Sequence, residues 1–320
     1  MKSIKLVFVS SIIWFGLTTL NAQNTYVPDD NFEQALIDLG YDDTLDDYVT
    51  TANISGVTEL DVSNKEISDL TGIEAFTSLT SLECWSNKLT SLDVSSNTNL
   101  THLNCDGNQL TSLDVSKNTA LTEIILEGNQ LTSLDINSNT SLVHLNCTSN
   151  KLTSLDVSNN TALTWIEFIA NQLTSLDVSK NTALLNIDGW DNALASLDVS
   201  NNTALIELNV NNNSLTSLDV SKNTALTKLT INQNQLTSLD VSKNTTLETL
   251  HACCNKLTSL DVSRNTALAN LNCNDNQLTS LNIRNGVTDA WSAHDWSGFN
   301  ATNNPNLTCI EVLDPAWATA

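Results

Sequence analysis

Residues 79–99 read LTSLECWSNKLTSLDVSSNTN, and nearly the same string returns at Leu100, Leu121, Leu142, Leu163, Leu184, Leu205, Leu226, Leu247 and Leu268. The period is 21 residues without insertion, so ten units span 79–288, and a 22-residue relative, VTELDVSNKEISDLTGIEAFTS, precedes them at 57–78. A unit this short cannot close its own core and must bury its apolar residues against the units on either side. Within the unit, Leu79, Leu82 and Cys84 are the inward positions of a first alternating stretch, and Leu92 and Val94 those of a second. Each unit is therefore predicted to supply two short parallel strands and two turns.

Stacking the units makes each position a column. The sixth column reads Cys84, Cys105, Leu126, Cys147, Phe168, Gly189, Val210, Ile231, Ala252 and Cys273. It is small or apolar throughout, so its cysteines read as buried core thiols, with a Cys84–Cys105 disulfide as the alternative in an oxidising compartment. The ninth column is Asn in every unit: Asn87, Asn108, Asn129, Asn150, Asn171, Asn192, Asn213, Asn234, Asn255 and Asn276. An inward amide there can bond backbone groups of a turn that lacks a strand partner. A second Asn column, Asn97 to Asn265, is expected to do the same at the opposite turn.

This array carries the L-x-x-L-x-L-x-x-N-x-L signature of leucine-rich repeats. It resembles the short 21-residue bacterial class (IRREKO-type), in which an L-x-x-L-x-V half is nested in each unit, and it is internalin-like in organisation. The resemblance implies a β-rich solenoid, a right-handed superhelix of about eleven repeats, with an N-terminal helical cap and an irregular C-terminal cap. It also implies that ligands bind the diversified strand face.

The flanks fit that plan. Residues 1–22 carry Lys2 and Lys5, an apolar run from Leu6 to Leu20, and a small residue at Ala22, the three-part pattern of a secretory signal peptide. The run is shorter than the roughly 20 residues that span a bilayer, and no transmembrane segment is expected once it is cleaved. A secreted or cell-surface protein follows. Residues 23–56 are expected to cap the array: Asp30-Asn31-Phe32-Glu33 reads as an N-cap at Asp30 with Glu33 at N3, the capping-box spacing, Phe32, Leu36 and Leu39 share a face, Gly40 ends the helix, and Asp42, Asp43, Asp46 and Asp47 follow as a solvated acidic loop. Residues 289–320 are expected to form the other cap, with Trp291, Trp296 and Phe299 in irregular chain and Leu307–Val312 as a last strand. The chain stops at Ala320, which reads either as a truncated cap or as export that differs from the pattern of its class, and this leaves anchoring open. Lys+Arg number 13 against 36 Asp+Glu, a formal charge of −23. Such a chain does not neutralise phosphates, so nucleic acid and anionic membrane surfaces are excluded as partners.

Variation is concentrated in the third, fifth, seventh and eighth columns, on the outward side of the first strand and the turn after it. The candidate ligand-binding residues are Trp85, His102, Glu123, Ile125, His144, Trp165, Glu167, Ile169, Asp188, Trp190, Asp191, Glu207, Lys228 and His251. Trp165, Ile169 and Trp190 are expected to form one exposed apolar cluster edged by Glu167, Asp188 and Asp191. Eleven turns at about 4.8 Å give a strip roughly 50 Å long, suited to a protein or polysaccharide partner bound by a monomer. On the other side, Asp93, Asp114, Asp135, Asp156, Asp177, Asp198, Asp219, Asp240 and Asp261 form an acidic column. Lysines three residues on offset its repulsion, and a bridging Ca²⁺ ladder is the one cofactor reading it allows. His251, Cys253 and Cys254 lack a fourth ligand at zinc spacing. No G-x-S-x-G, H-E-x-x-H or phosphate-binding Gly loop occurs, so no enzyme is expected. The other two readings are a structural or signalling-adaptor scaffold and binding to a repetitive solid surface.

Overall fold

The computed structural model describes residues 23–286 and 298–313, so the signal-peptide segment, Trp291 and Trp296 lie outside the described residues. The chain is a parallel β-solenoid of about eleven turns. Its main sheet has twelve strands, Glu59–Asp61, Ser81–Glu83, His102–Asn104 and so on through Asn270–Asn272, closed by Phe299–Asn300. All are parallel, and neighbours pair at the repeat period: His102 stands against Glu123, Glu123 against His144, and His144 against Trp165. The period thus becomes the register, and each sequence column becomes a row of stacked side chains.

The first, fourth and sixth columns are buried, as with Leu79, Leu82 and Cys84. Cys84, Cys105, Cys147 and Cys273 are free thiols inside this core. Burial pushes Cys147 and Cys273 up to about 12, so neither supplies thiolate at ordinary pH. One break in the row is compensated. A Cβ on Gly189 would lie 2.2 Å from Cζ of Phe168, so the large ring fills the space its neighbour leaves.

The ninth-column amides join consecutive turns. Asn129 Nδ2 donates to the carbonyls of Cys105 and Leu126, and its Oδ1 accepts from Leu110 N at 3.0 Å. Asn150 repeats the pattern on Leu126, Cys147 and Leu131. Off the 21-residue period, Asn304 does so on Cys273, Ala301 and Leu278. The described part of the C-terminal segment is therefore one more solenoid turn rather than irregular chain. The second Asn column is not equivalent. Asn118 Nδ2 bonds the carbonyls of Val94 and Asn97, but the Oδ1 atoms of Asn97 through Asn265 meet no protein donor although these residues are fully buried.

Two strands per unit is corrected for most of the array. A second sheet exists only at its C-terminal end, where Ser259–Asp261, Ser280–Asn282 and Ile310–Glu311 pair. In earlier turns the second half is linked mainly where it begins, as by Gln109 N to Leu89 O. Its flanking residues, such as Ser91 and Asp93, are exposed, so water can serve backbone groups that a ladder would otherwise take.

The N-terminal helix spans Asp30–Asp38, but its cap is Asp29, one residue earlier than the sequence indicated. Asp29 Oδ1 accepts from Asn31 N and Phe32 N, while Oδ2 accepts from Ser68 N, Ser68 Oγ and Asp69 N, tying the helix to the first repeat. Glu33 is not a capping-box partner. It is buried, and its Oε1 holds Asp46 N and Tyr48 N of the acidic loop. Phe32 and Leu36 are buried, but Leu39 is exposed.

Two substitutions, each with a reference variant, test this packing. Asn129→Ala should destabilise by about 1–3 kcal/mol for each backbone group it leaves unpaired, whereas exposed Lys117→Ala should stay within about 0.5 kcal/mol, both read by urea unfolding. Gly189→Ala should cost about 1–3 kcal/mol by overpacking. In a Phe168→Leu background most of that cost should vanish, a coupling that a double-mutant cycle measures.

Candidate binding face

The outer surface of the twelve-stranded sheet collects the third and fifth columns, and the turn after it collects the seventh and eighth. The eighth column is left-handed throughout, from Ser86 (φ 54°) to Asp275 (φ 53°), with Gly only at positions 107 and 128. This αL residue turns the chain out of the strand and carries the seventh-column side chain outward. The ninth-column Asn directly behind it secures the turn.

Candidate residues from Trp85 to His251 line this one surface. Trp85, Trp165 and Trp190 are 40%, 45% and 46% exposed. His102, Glu123, Ile125, His144, Glu167, Ile169, Asp188, Glu207 and His251 are half-buried, and Asp191 and Lys228 are exposed. Trp165 and Trp190 stand in different rows of that surface, Trp165 being paired with Asn186. Trp165 lies in the third column and Trp190 in the seventh of the next turn, four residues further along the chain direction, roughly 13 Å. Trp165 instead faces His144, with ring centroids 5.7 Å apart. Trp190 occupies the same column as Ile169 in the adjoining turn, where Ala170 N donates to Trp190 O.

The most connected part is a line of alternating acids and imidazoles. His102 Nε2 is 2.7 Å from Glu83 Oε1, and its Nδ1 is 2.9 Å from Glu123 Oε2. The other oxygen of Glu123 is 2.7 Å from His144 Nδ1, and His144 Nε2 is 3.6 Å from Glu167 Oε2. Glu83 is the residue the columns alone did not single out. It sits in the fifth column one turn before His102, so the contact is diagonal, where comparison down a single column does not look. Glu167 and Glu123 hold the His144 imidazole above its ordinary value against its burial. Burial pushes Glu123 up, but His144 and His102 outweigh it, leaving its carboxyl below the ordinary range. His144 holds Glu167 down as well. Next along, burial raises Asp188.

The acidic column on the opposite side bends onto its own turns. Asp156 Oδ1 accepts from Ser158 N, and Asp177 Oδ1 from Ser179 N. Ser95, Ser116, Ser158 and Ser179 hold Asp93, Asp114, Asp156 and Asp177, respectively, below the ordinary carboxylate range. Among the described residues no group of three or more His, Cys, Asp or Glu side chains is placed to hold a metal ion. His251 Nε2 lies 3.2 Å from Asn270 Oδ1, Cys253 is half-buried, and Cys254 is exposed.

With this geometry the comparisons with known proteins agree. The functional domain of InlJ from Listeria monocytogenes, described as including a cysteine ladder, superimposes with a TM-score of 0.79 and 37% identity, covering 91% of this chain and 62% of that one. The chain folds as a leucine-rich repeat solenoid and is similar to the internalins. Curated Internalin J of the same species is 40% identical over 85 residues, 25% of this chain and 9% of the relative, so the matched stretch is a small part of that protein's length. An internalin InlF structure from Listeria monocytogenes shares the fold at TM-score 0.70 and 21% identity, covering 94% of this chain and 96% of that one. No family model matches the chain.

The acid–imidazole line makes stability depend on pH. His144 is raised, so its contribution is complete below about pH 6.5 and is lost as pH rises through the raised folded value. Glu123 and Glu167 are depressed, so theirs is complete above about pH 4.3 and is lost as pH falls through the lowered folded values. The Tm difference between the wild-type chain and His144→Gln should therefore peak between these limits and shrink on both sides. A calorimetric difference that is flat with pH would contradict this.

Proposed function

We propose that this internalin-like chain is a non-enzymatic recognition module, secreted or displayed at the cell surface, that binds a protein or a polysaccharide through the outer surface of its twelve-stranded sheet. One observation carries the reading: side chains change in charge, polarity and size on that surface, while the interior stays small or apolar and the opposite side repeats almost unchanged. Exposed surface with no task tolerates change everywhere, so one-sided diversity reports a task on one side. The strip is long and open, which suits an extended partner better than a small molecule held in a cavity. Its exposed tryptophans are the residue type that most often dominates binding energy. The described residues include no helix long and apolar enough to cross a membrane. Export by the N-terminal segment is the proposed route out of the cell.

The test is capture of partners from envelope and environmental extracts, followed by affinity measurement on the partner obtained. Trp165→Ser and Trp190→Ser should each weaken binding by about 2 kcal/mol or more, roughly 30-fold, while leaving the unfolding midpoint in place. A variant carrying consensus residues in the variable columns should lose capture. Capture retained by that variant would instead identify a scaffold or a lattice-binding role.

A further inference from the structure

The line Glu83–His102–Glu123–His144–Glu167 has a property that single ion pairs lack. Both ring nitrogens of His102 lie at hydrogen-bond distance from carboxylate oxygens of two different residues, 2.7 and 2.9 Å. A neutral imidazole has one N–H and one lone pair, so it would aim the lone pair at one of those carboxylates. Only the imidazolium donates to both. Glu123 then gives one oxygen to each histidine, so the two rings are coupled through one carboxylate. At the far end His144 lies against the Trp165 ring.

The surroundings leave the imidazoles as the local source of positive charge. The strands on either side bring Glu59 and Asp61 before the line and Asp188 after it. The turn layer adds Asp106 and Glu127, the latter accepting from Asn146 Nδ2. No Lys or Arg occurs in the main-sheet strands from Glu59–Asp61 through Glu207–Asn209. The first is Lys228, which pairs with Glu207.

We propose that these five side chains are a pH sensor built into the variable face. When the His144 imidazole is protonated, it bridges Glu123 and Glu167 and Trp165 is held beside it. When it loses its proton, those two carboxylates are left without that counter-charge, the line opens at His144 and Trp165 is released. The face thus changes both its charge and the position of its most exposed strand aromatic with pH. That this alters partner binding rests on the proposed recognition role; the switch itself does not.

The experiment uses the full chain without a partner. NMR follows the Cε1–H resonances of His102 and His144 and the indole N–H of Trp165 from acid to alkaline pH. Wild type is compared with Glu123→Gln, Glu167→Gln and, as a control on the opposite side, Asp93→Asn. The His144 midpoint should fall in Glu123→Gln and in Glu167→Gln and stay in place in Asp93→Asn. The Trp165 indole should shift with the same midpoint as His144. A His144 midpoint identical in all four proteins, or a Trp165 resonance that does not move through the titration, would overturn the proposal. Coupled titration together with partner capture retained by the consensus-face variant would support the sensor and refute the recognition role separately.

Discussion

A buried amide that bonds three backbone groups in two successive turns is the interaction on which the rest of this solenoid depends. Strand ladders hold one edge of each turn, but the chain must then leave the strand through a left-handed residue, from Ser86 to Asp275. An L-residue in that conformation costs about 1–2 kcal/mol, and only two of the ten are glycine. The ninth-column Asn makes the turn worth adopting. It accepts from a turn N–H of the previous unit and donates to carbonyls of both units, so backbone groups that burial would orphan are paired. Since the bonds run between units, they also fix the spacing, and with it the register of the sheet.

That division of labour frees the outer surface. Register is set by interior columns and by backbone bonds, so third-, fifth- and seventh-column residues carry little of the folding task. They can be Trp, His, Glu or Lys without disturbing the stack. The acid–imidazole line shows what such freedom permits: five residues on five strands, each locally unremarkable, make a coupled charge network because the strands hold them in step.

Much of this was legible in the chain because a period of 21 is itself a statement about geometry. The order of the main strands, their register, the buried first, fourth and sixth columns and the inward Asn row all follow from stacking identical units. What the pattern could not reveal were features that depend on distance between turns rather than on residue type. The L-x-x-L-x-V half looks like a strand in every unit, yet a ladder needs neighbours to approach closely, and that happens only from Ser259 onward. Trp165 and Trp190 sit in adjacent turns, but the column offset separates them along the strand direction. Glu83 escaped notice because its partner is diagonal. Asn304 continues the Asn row after the period has broken, and only its position behind Ala301 marks it.

Amide hydrogen exchange tests the ladder most directly. The turn N–H groups of Leu110, Leu131 and Leu152 point at Asn Oδ1 atoms, and they should exchange as slowly as the inter-strand amides of Cys105 and Leu126. Exchange at the rate of an exposed turn amide such as that of Lys117 would mean that the Asn row does not hold the turns, and that something else sets the register of the sheet.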